Sequence, residues 1–267
     1  MDGLSVRYLG DLRVRLARFA DVFGDRIIAT IAPAEIDDWL RSLGVGSVTR
    51  NTFRRRLAVL FNFAKRRSYL SQNPIDHVER IKECSGEIEI LTIDETKRLL
   101  DCASFDILPY WAIGAFAGLR RAEIERLAWS EIDFDGGFIE VKAAKSKTAS
   151  RRLVTLQQNL REWLAPYRFR TGYVCPPNLQ KNMNNDRDRA GLRLNWRQNA
   201  LRHSFGSYYL ARFNDAARLA LEMGNSPAII FKHYRELVKP KDALRYWEIM
   251  PREESHCLGG RVLNKCK

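Results

Sequence analysis

Long hydrophobic runs are missing from this 267-residue sequence, which has no stretch of eighteen or more consecutive apolar residues. A helix needs about twenty such residues to cross a bilayer, so the sequence predicts no membrane span. The first residues, MDGLSVRYLGDLRV, also lack the apolar segment of a secretory signal. We therefore expect a cytoplasmic protein.

Residues that build disulfides and metal sites are scarce as well. The five cysteines are odd in number and form no Cys-x-x-Cys pair, which argues against a disulfide framework and against a zinc site. The four histidines are scattered, and no His-Glu-x-x-His motif or glycine-rich phosphate loop occurs. The acidic pairs Asp37-Asp38 and Glu253-Glu254 are adjacent in sequence, which is typical of surface rather than of a two-metal site. We expect no metal and no cofactor.

Acidic residues are too few to balance the basic ones. The chain has 45 Lys plus Arg against 32 Asp plus Glu, a formal net charge of +13, and 45% hydrophobic residues, enough for a packed core. A protein this basic usually binds a polyanion, and DNA or RNA is the first candidate. The alternative is a basic solvated surface, because net charge alone identifies no partner.

The first third of the chain has the apolar spacing of three amphipathic helices. The first carries apolar residues from Leu9 to Phe23, and the second begins near Pro33 and ends at Gly44. The third runs from about Thr49 to Arg67, and Asn73-Pro74 then predicts a turn.

The third helix is unusually basic and contains no acidic residue. Its apolar stripe and its many cations favour a surface that binds DNA phosphates, with a solubilising surface as the alternative. The candidate DNA-binding residues are Arg50, Arg54, Arg55, Arg56, Lys65, Arg66 and Arg67.

Residues 82–91 interrupt the helical period and predict an extended linker. Thr92 to Glu95 then has capping-box spacing and indicates the start of a second domain. Further helices are predicted at Trp111–Gly118, Ala122–Trp129, 157–167 and 199–221, with β-like runs at Ile132–Val141 and Arg151–Leu156 and a lysine-rich turn between those runs. We predict a mainly α fold with a small antiparallel sheet, an α+β class.

Four segments of the chain carry candidate catalytic residues in order. GLRRAEIERL contains Arg120, SKTASRRLVTL contains Lys147, ALRHSF contains Arg202 and KHYREL contains Tyr234. Together they resemble the tyrosine recombinase (phage integrase) family over most of the chain. The resemblance implies a helical core-binding (SAM-like) DNA-binding domain at 1–81, a linker at 82–91, a catalytic domain at 92–250 and a tail at 251–267.

The resemblance also implies an activity: a site-specific recombinase or integrase of a mobile element, which cuts and rejoins double-stranded DNA through a 3′-phosphotyrosine intermediate. Tyr234 is then the nucleophile. Arg120 and Arg202 would bind the phosphate, since guanidinium groups match its geometry and stay charged. Lys147 would protonate the leaving 5′-oxygen, with Lys142 and Lys145 as alternatives. The family implies four protomers on DNA.

The sequence departs from the family pattern at two positions. Asn199 stands where the family usually has His or Lys, and Asn225 stands where it has His or Trp. An amide can hydrogen-bond a phosphate oxygen but cannot transfer a proton near neutral pH. We keep both in the expected site. A catalytically weakened or inactive recombinase-like DNA-binding protein is therefore the alternative function.

Other interpretations stay open at this point. Glu123 could orient Arg120 or form a simple helix pair, and Tyr234 taken by itself could be an ordinary core residue. His203 is expected to face away from Arg202, because adjacent helical residues point about 100° apart. An RNA-binding protein is less favoured, since the aromatic residues fall at core spacing. Relaxation of supercoiled DNA is a conceivable side activity. Many members of the family that this chain resembles carry an N-terminal arm-binding domain, and we expect it either to be absent here or to have been lost by shortening of the chain.

Overall fold

The computed structural model describes residues 4–83, 88–142, 151–234 and 238–252. The chain divides into two compact units, Met1–Gly86 and Glu87–Lys267. The boundary between them falls within residues 82–91, the segment predicted to be a linker.

The first unit is helical. Its helices are α1 (Val6–Phe23), α2 (Pro33–Ser42) and α3 (Ser47–Arg66), with short 3-10 helices at Ile28–Thr30 and Pro74–His77. Ser5 caps α1, and Pro33 occupies the first turn of α2, where no backbone donor is needed. Phe19, Trp39 and Phe61 meet in the core, with Phe19 edge-on to both other rings. The three helices predicted from apolar spacing match α1 to α3 within a few residues.

The second unit combines helices with a three-stranded antiparallel sheet. Its elements are α4 (Ile93–Cys102), α5 (Leu108–Phe116), α6 (Arg121–Ile124), β1 (Ile132–Asp133), β2 (Phe138–Val141), β3 (Arg152–Thr155), α7 (Gln158–Leu164), α8 (Leu179–Arg189), α9 (Ala200–Phe213), α10 (Ala216–Met223), α11 (Pro227–Tyr234) and α12 (Pro240–Trp247). The strand order is β1-β2-β3, and Ile139 pairs with Ile132 on one side and with Val154 on the other. The predicted mainly α fold with a small antiparallel sheet is confirmed.

The central helix of this unit is α5, which is buried from Pro109 to Phe116. It packs against α9 so closely that a β-carbon on Gly114 would lie 2.6 Å from Leu201 Cδ1. This close approach brings the end of α5 beside the first turn of α9. The two segments that carry Arg120 and Arg202 are therefore neighbours in space.

Two predicted helices differ from the structure. The helix expected at Ala122–Trp129 ends at Ile124, and a 3-10 helix follows at Trp129–Glu131. The helix expected at 199–221 is two helices, α9 and α10. Asn214 adopts a left-handed conformation (φ 51°) after α9, and the Asp215 side chain caps α10. A left-handed residue followed by a new N-cap ends one helix and begins another.

Helices α8, α11 and α12 were not predicted from the sequence. Residues 143–150 of the lysine-rich turn and most of the predicted tail lie outside the described residues. Within the described ranges, every helix is too short or too polar to traverse a lipid bilayer.

Candidate active site

Arg120, Arg202 and Asn225 come together in the second unit. Arg120 caps the start of α6, Arg202 lies in the first turn of α9, and Asn225 follows the end of α10. The amide oxygen Oδ1 of Asn225 accepts a hydrogen bond from Nη2 of each guanidinium, at 3.1 Å in both cases. Three residues widely separated in sequence thus form one cluster.

Backbone carbonyls hold the two guanidinium groups in place. Arg120 Nη2 donates to the Gly224 carbonyl at 2.6 Å, and Arg202 donates to the carbonyls of Gly118 and Met223 at 2.6 and 2.7 Å. These carbonyls lie at the ends of α5 and α10, where helix dipoles favour cations. The side chains are therefore oriented before any ligand binds.

The Arg202 guanidinium remains a cation in this setting. Burial, followed by repulsion from Arg120, lowers the pKa of Arg202 to about 10, which still leaves it charged at neutral pH. The hydrogen-bond partners described for Arg202 are two backbone carbonyls and the Asn225 amide, all of which are neutral. Two adjacent cations whose charge is only partly compensated favour binding of an anion such as a phosphate.

Glu123 connects Arg120 to a second arginine, Arg152. Glu123 Oε1 lies 3.0 Å from Arg120 Nη1, which confirms that Glu123 reaches Arg120. Arg152 on β3 donates to both carboxylate oxygens, at 3.1 and 2.6 Å. Burial alone would raise the pKa of Glu123, but the hydrogen bonds from Arg152 and Arg120 bring it below its usual value.

Arg152 was not identified from the sequence. Arg152 and Val154 both lie on the buried side of β3. A charged residue two positions from a core residue on a strand shares its buried face, and this pattern could have revealed Arg152.

Tyr234 lies at the end of α11 with only 4% of its surface exposed. Burial raises the pKa of its hydroxyl, and the positive charges of Arg202 and Arg120 oppose that effect without cancelling it. Tyr234 Oη lies 3.2 Å from Nδ1 of His203 on α9. The phenol is thus protonated at neutral pH and lies within the field of both guanidinium groups.

His203 points to a different side of α9 from Arg202, as expected, but it lies beside another predicted site residue, Tyr234. Adjacent residues of α9 do diverge, but α11 packs against the side of α9 that carries His203, so the imidazole meets Tyr234. The Arg202 side chain extends the other way, to the Gly118 carbonyl. Both residues contribute to one site from different sides of the helix.

The remaining predicted catalytic residues are placed differently. Asn199 is exposed at the start of α9 in a left-handed conformation (φ 58°). In the described part of the chain no hydrogen bond joins its side chain to either guanidinium, so the structure does not bring it into the cluster. Lys147 and its alternative Lys145 lie outside the described residues. Lys142 is exposed and pairs with Glu131 at 3.2 Å.

The seven predicted DNA-binding residues lie on α3 or at its C-cap, Arg67, and four of them are exposed. Arg54 donates to the carbonyls of Val78 and Ile75, and Arg56 pairs with Asp11 at 2.7 Å. No acidic residue of α3 is available to these cations, as the sequence indicates, but Arg56 finds an acidic partner on α1. Arg50 is half-buried, whereas the other four residues are exposed. The exposed residues are Arg55, Lys65, Arg66 and Arg67.

No group of three or more His, Cys, Asp or Glu residues that could hold an ion occurs in the ranges that the structure covers.

Residues 89–237 match the family model described as the phage integrase family. In Escherichia coli (strain K12), "Putative defective protein IntQ" is 28% identical over 105 residues, 39% of this chain and 26% of that protein. Prophage integrase IntR is 25% identical over 86 residues, 32% of this chain and 21% of that protein. The chain thus matches about a quarter of the length of these relatives.

Solved structures share the fold. A lambda integrase dimer bound to a COC′ core site has a TM-score of 0.71 and 16% identity, over 89% of this chain and 93% of that one. The Tn1549 transposon integrase in complex with a circular intermediate DNA has a TM-score of 0.68 and 17% identity, over 89% of this chain and 91% of that one. A lambda integrase tetramer bound to a Holliday junction has a TM-score of 0.69 and 16% identity, over 89% of this chain and 75% of that one. At these identities the likeness is one of fold.

Proposed function

Because the chain belongs to the phage integrase family, we propose that it is a site-specific DNA recombinase of a mobile element. It cuts and rejoins double-stranded DNA through a 3′-phosphotyrosine intermediate. The observation that carries this proposal is the cluster in which Asn225 joins the guanidinium groups of Arg120 and Arg202, whose charges act on the Tyr234 hydroxyl. The similarity to a prophage integrase and to a transposon integrase supports the mobile-element context.

The proposed reaction is a transesterification. Tyr234 Oη attacks the phosphorus of the scissile phosphodiester, the P–O5′ bond breaks, and a 5′-hydroxyl leaves. The 3′-phosphotyrosyl bond keeps the energy of the original ester, so a 5′-hydroxyl can reverse the step without a cofactor. Negative charge grows on the non-bridging oxygens in the transition state, where Arg120 and Arg202 stabilise it.

Phosphate binding competes with the Asn225 amide. Nη2 of each guanidinium donates to one neutral oxygen, Oδ1 of Asn225. A phosphate oxygen carries charge and is a stronger acceptor, roughly doubling the strength of each bond. In the proposed complex Arg120 and Arg202 donate to phosphate, and Asn225 binds it through its amide N–H groups. Lys147 is proposed as the acid that protonates the 5′-oxygen.

The proposed DNA contacts outside the cluster come from α3. Its exposed cations are suited to phosphates, and such contacts position the protein without specifying the base sequence. We propose that four protomers assemble on two DNA sites, in the way that the lambda integrase tetramer binds a Holliday junction.

The test uses a pool of nicked duplexes with randomised flanks, enriched beforehand for binding to the protein. A nick near the cleavage position lets the short 5′-hydroxyl strand diffuse away, so a covalent adduct accumulates. The unsubstituted chain should yield an adduct that survives denaturation, and Tyr234→Phe should yield none. An adduct of equal amount with Tyr234→Phe would overturn the assignment of the nucleophile.

A second candidate function is DNA binding without cleavage. It is favoured by the asparagines at 199 and 225 and by the exposure of Asn199 away from the guanidinium groups. The same experiment separates the two: salt-dependent binding with no adduct from the unsubstituted chain would establish the binding protein.

A further inference from the structure

We infer that His203 is a further catalytic residue of this site, whose imidazole accepts the proton of the Tyr234 hydroxyl as that oxygen attacks phosphorus. The inference rests on the proposed function. His203 lies outside the set of residues that the sequence suggested for catalysis, and its role follows from its place beside Tyr234.

The geometry meets the requirement for proton transfer. Nδ1 of His203 lies 3.2 Å from Tyr234 Oη, and the two rings are 5.7 Å apart and tilted by 41°. Proton transfer requires about 2.6–3.2 Å between the heavy atoms. The contact joins two helices, α9 and α11, so both side chains are carried by regular backbone.

A glycine on α9 shapes the space for the tyrosine ring. Gly206 lies three residues after His203, on the same side of the helix. A β-carbon at Gly206 would lie 2.9 Å from Tyr234 Cε1 and 3.0 Å from Cδ1. The ring therefore lies directly against the α9 backbone, and this places its hydroxyl at the imidazole.

The reaction needs a proton acceptor at this point. Burial keeps the pKa of Tyr234 above its usual value despite the nearby arginines, so the nucleophile starts as a neutral phenol. Guanidinium groups have only donors, and an amide such as Asn225 does not take up a proton near neutral pH. Lys147, if it protonates the leaving oxygen, must begin protonated. A neutral imidazole can accept the proton.

The step balances without any further reactant. The O–H bond of Tyr234 breaks and its proton passes to Nδ1 of His203, giving an imidazolium. The Oη–P bond forms and the P–O5′ bond breaks, and the 5′-oxygen takes a separate proton from the proposed acid. In the reverse reaction the imidazolium returns its proton to the tyrosine oxygen.

Single-turnover cleavage of two substrates tests the inference. One substrate is the nicked duplex described above, and the other carries sulfur in place of the bridging 5′-oxygen, a leaving group that needs no proton. His203→Gln should cleave both at least about 100-fold more slowly than the unsubstituted chain. Lys147→Ala is the matched comparison. Its loss of cleavage rate should be smaller on the sulfur substrate, because that leaving group does not need the acid that the variant lacks.

The pH dependence supplies a readout that a structural role would not change. Among the described residues, the charged groups that act on the Tyr234 hydroxyl include Arg202 on α9 and Arg120 before α6. At a pH high enough for the imidazole to be neutral, the rate of the unsubstituted chain should no longer change with pH. The rate of His203→Gln should rise about tenfold per pH unit, as hydroxide replaces the imidazole.

The outcomes for the His203 role and for the proposed function can be told apart. A His203→Gln rate within about threefold of the unsubstituted chain, or a defect removed by the sulfur substrate, overturns the inference and leaves the proposed function intact. If His203→Gln does not fold, the unsubstituted chain on the sulfur substrate decides: its rate should fall about tenfold per pH unit once the pH is low enough to protonate the imidazole, and a flat profile down to the acid limit of folding contradicts the role. No adduct from the unsubstituted chain overturns the proposed function itself, and the inference falls with it.

Discussion

Arg152 on β3 forms a buried, two-pronged ion pair with Glu123 on α6. The Nη2–Oε2 distance is 2.6 Å and the Nη1–Oε1 distance is 3.1 Å, with side-chain exposures of 7% and 2%. Arg152 Nε also donates to the Glu222 carbonyl, near the end of α10. Since Glu123 in turn holds Arg120, the pair connects the sheet to the cluster of Arg120, Arg202 and Asn225.

Removing Arg152 should destabilise the protein strongly. Arg152→Ala leaves a buried carboxylate with fewer partners, and breaking such a pair costs about 3–5 kcal/mol. Denaturant unfolding measures the loss. Arg151→Ala is the matched control, because that side chain is 71% exposed in its pair with Glu140 and such pairs contribute less than about 1 kcal/mol. Equal losses from the two variants would contradict the structural role of Arg152.

Asn225→Asp should lower the cleavage rate without lowering the stability of the protein. A carboxylate between Arg120 and Arg202 would accept stronger hydrogen bonds than the amide, so the free energy of unfolding should not fall. It would also neutralise the cations that the phosphate needs, and single-turnover cleavage should drop by about 100-fold or more. Asn195→Asp makes the same charge change at an exposed position and should leave cleavage within about threefold. Full cleavage by Asn225→Asp would exclude the proposed phosphate site.

Gly206→Ala should displace the Tyr234 ring. The added carbon would lie 2.9 Å from Cε1, too close for van der Waals contact. A shift of about 1 Å at a nucleophile can cost about 100-fold in rate, so cleavage should fall while DNA binding persists. Gly10→Ala on α1 is the control, since its new carbon meets nothing within 4 Å and should stabilise the helix by up to about 1 kcal/mol. Unchanged cleavage by Gly206→Ala would show that the ring is held elsewhere.

Glu123 and Glu222 should respond to pH in opposite directions. The pKa of Glu123 is lowered in the fold, so its ion pairs stabilise the protein above the unfolded value of about 4.3, and that contribution disappears as the pH falls through the folded value. Burial raises the pKa of Glu222, so the stability it contributes is present below about 4.3 and is lost as the pH rises through the folded value.

Denaturant unfolding between pH 3 and pH 7 measures both effects against the unsubstituted chain. As the pH rises, Glu123→Gln should become relatively less stable and Glu222→Gln relatively more stable. Slopes of the same sign for the two variants would contradict the electrostatic account of the site.

Much of the fold follows from local pattern, and the exceptions have physical reasons. Apolar spacing predicts α1 to α3, and the Thr92–Glu95 capping box that predicts α4 is present. Helix α8 escapes prediction because its sequence, LQKNMNNDRDR, is nearly all polar. It is tied to the core by a buried carboxylate, Asp186, which accepts a hydrogen bond from Trp111 Nε1 at 2.8 Å. A polar contact of that kind leaves no periodicity in the sequence.

The residues of the candidate site likewise divide into those that short sequence motifs reveal and those that only the packing reveals. Arg120, Arg202 and Asn225 occur in short motifs whose order is visible in the sequence, and the structure brings them together. Arg152 and His203 act through partners 29 and 31 residues away, so their roles depend on how β3 and α11 pack. Arg54 and Arg56 appear free in the sequence, yet carbonyls from other segments and Asp11 occupy their donors.

The most direct measurement is the identity of the residue that carries DNA in the trapped adduct. After nuclease and protease digestion, mass spectrometry should find a nucleotide joined through its 3′-phosphate to the peptide containing Tyr234. The nucleotide should be missing when the Arg202→Ala variant is used, since the phosphate then loses a guanidinium. A nucleotide on any other residue, or a 5′-phosphate linkage, would contradict the account.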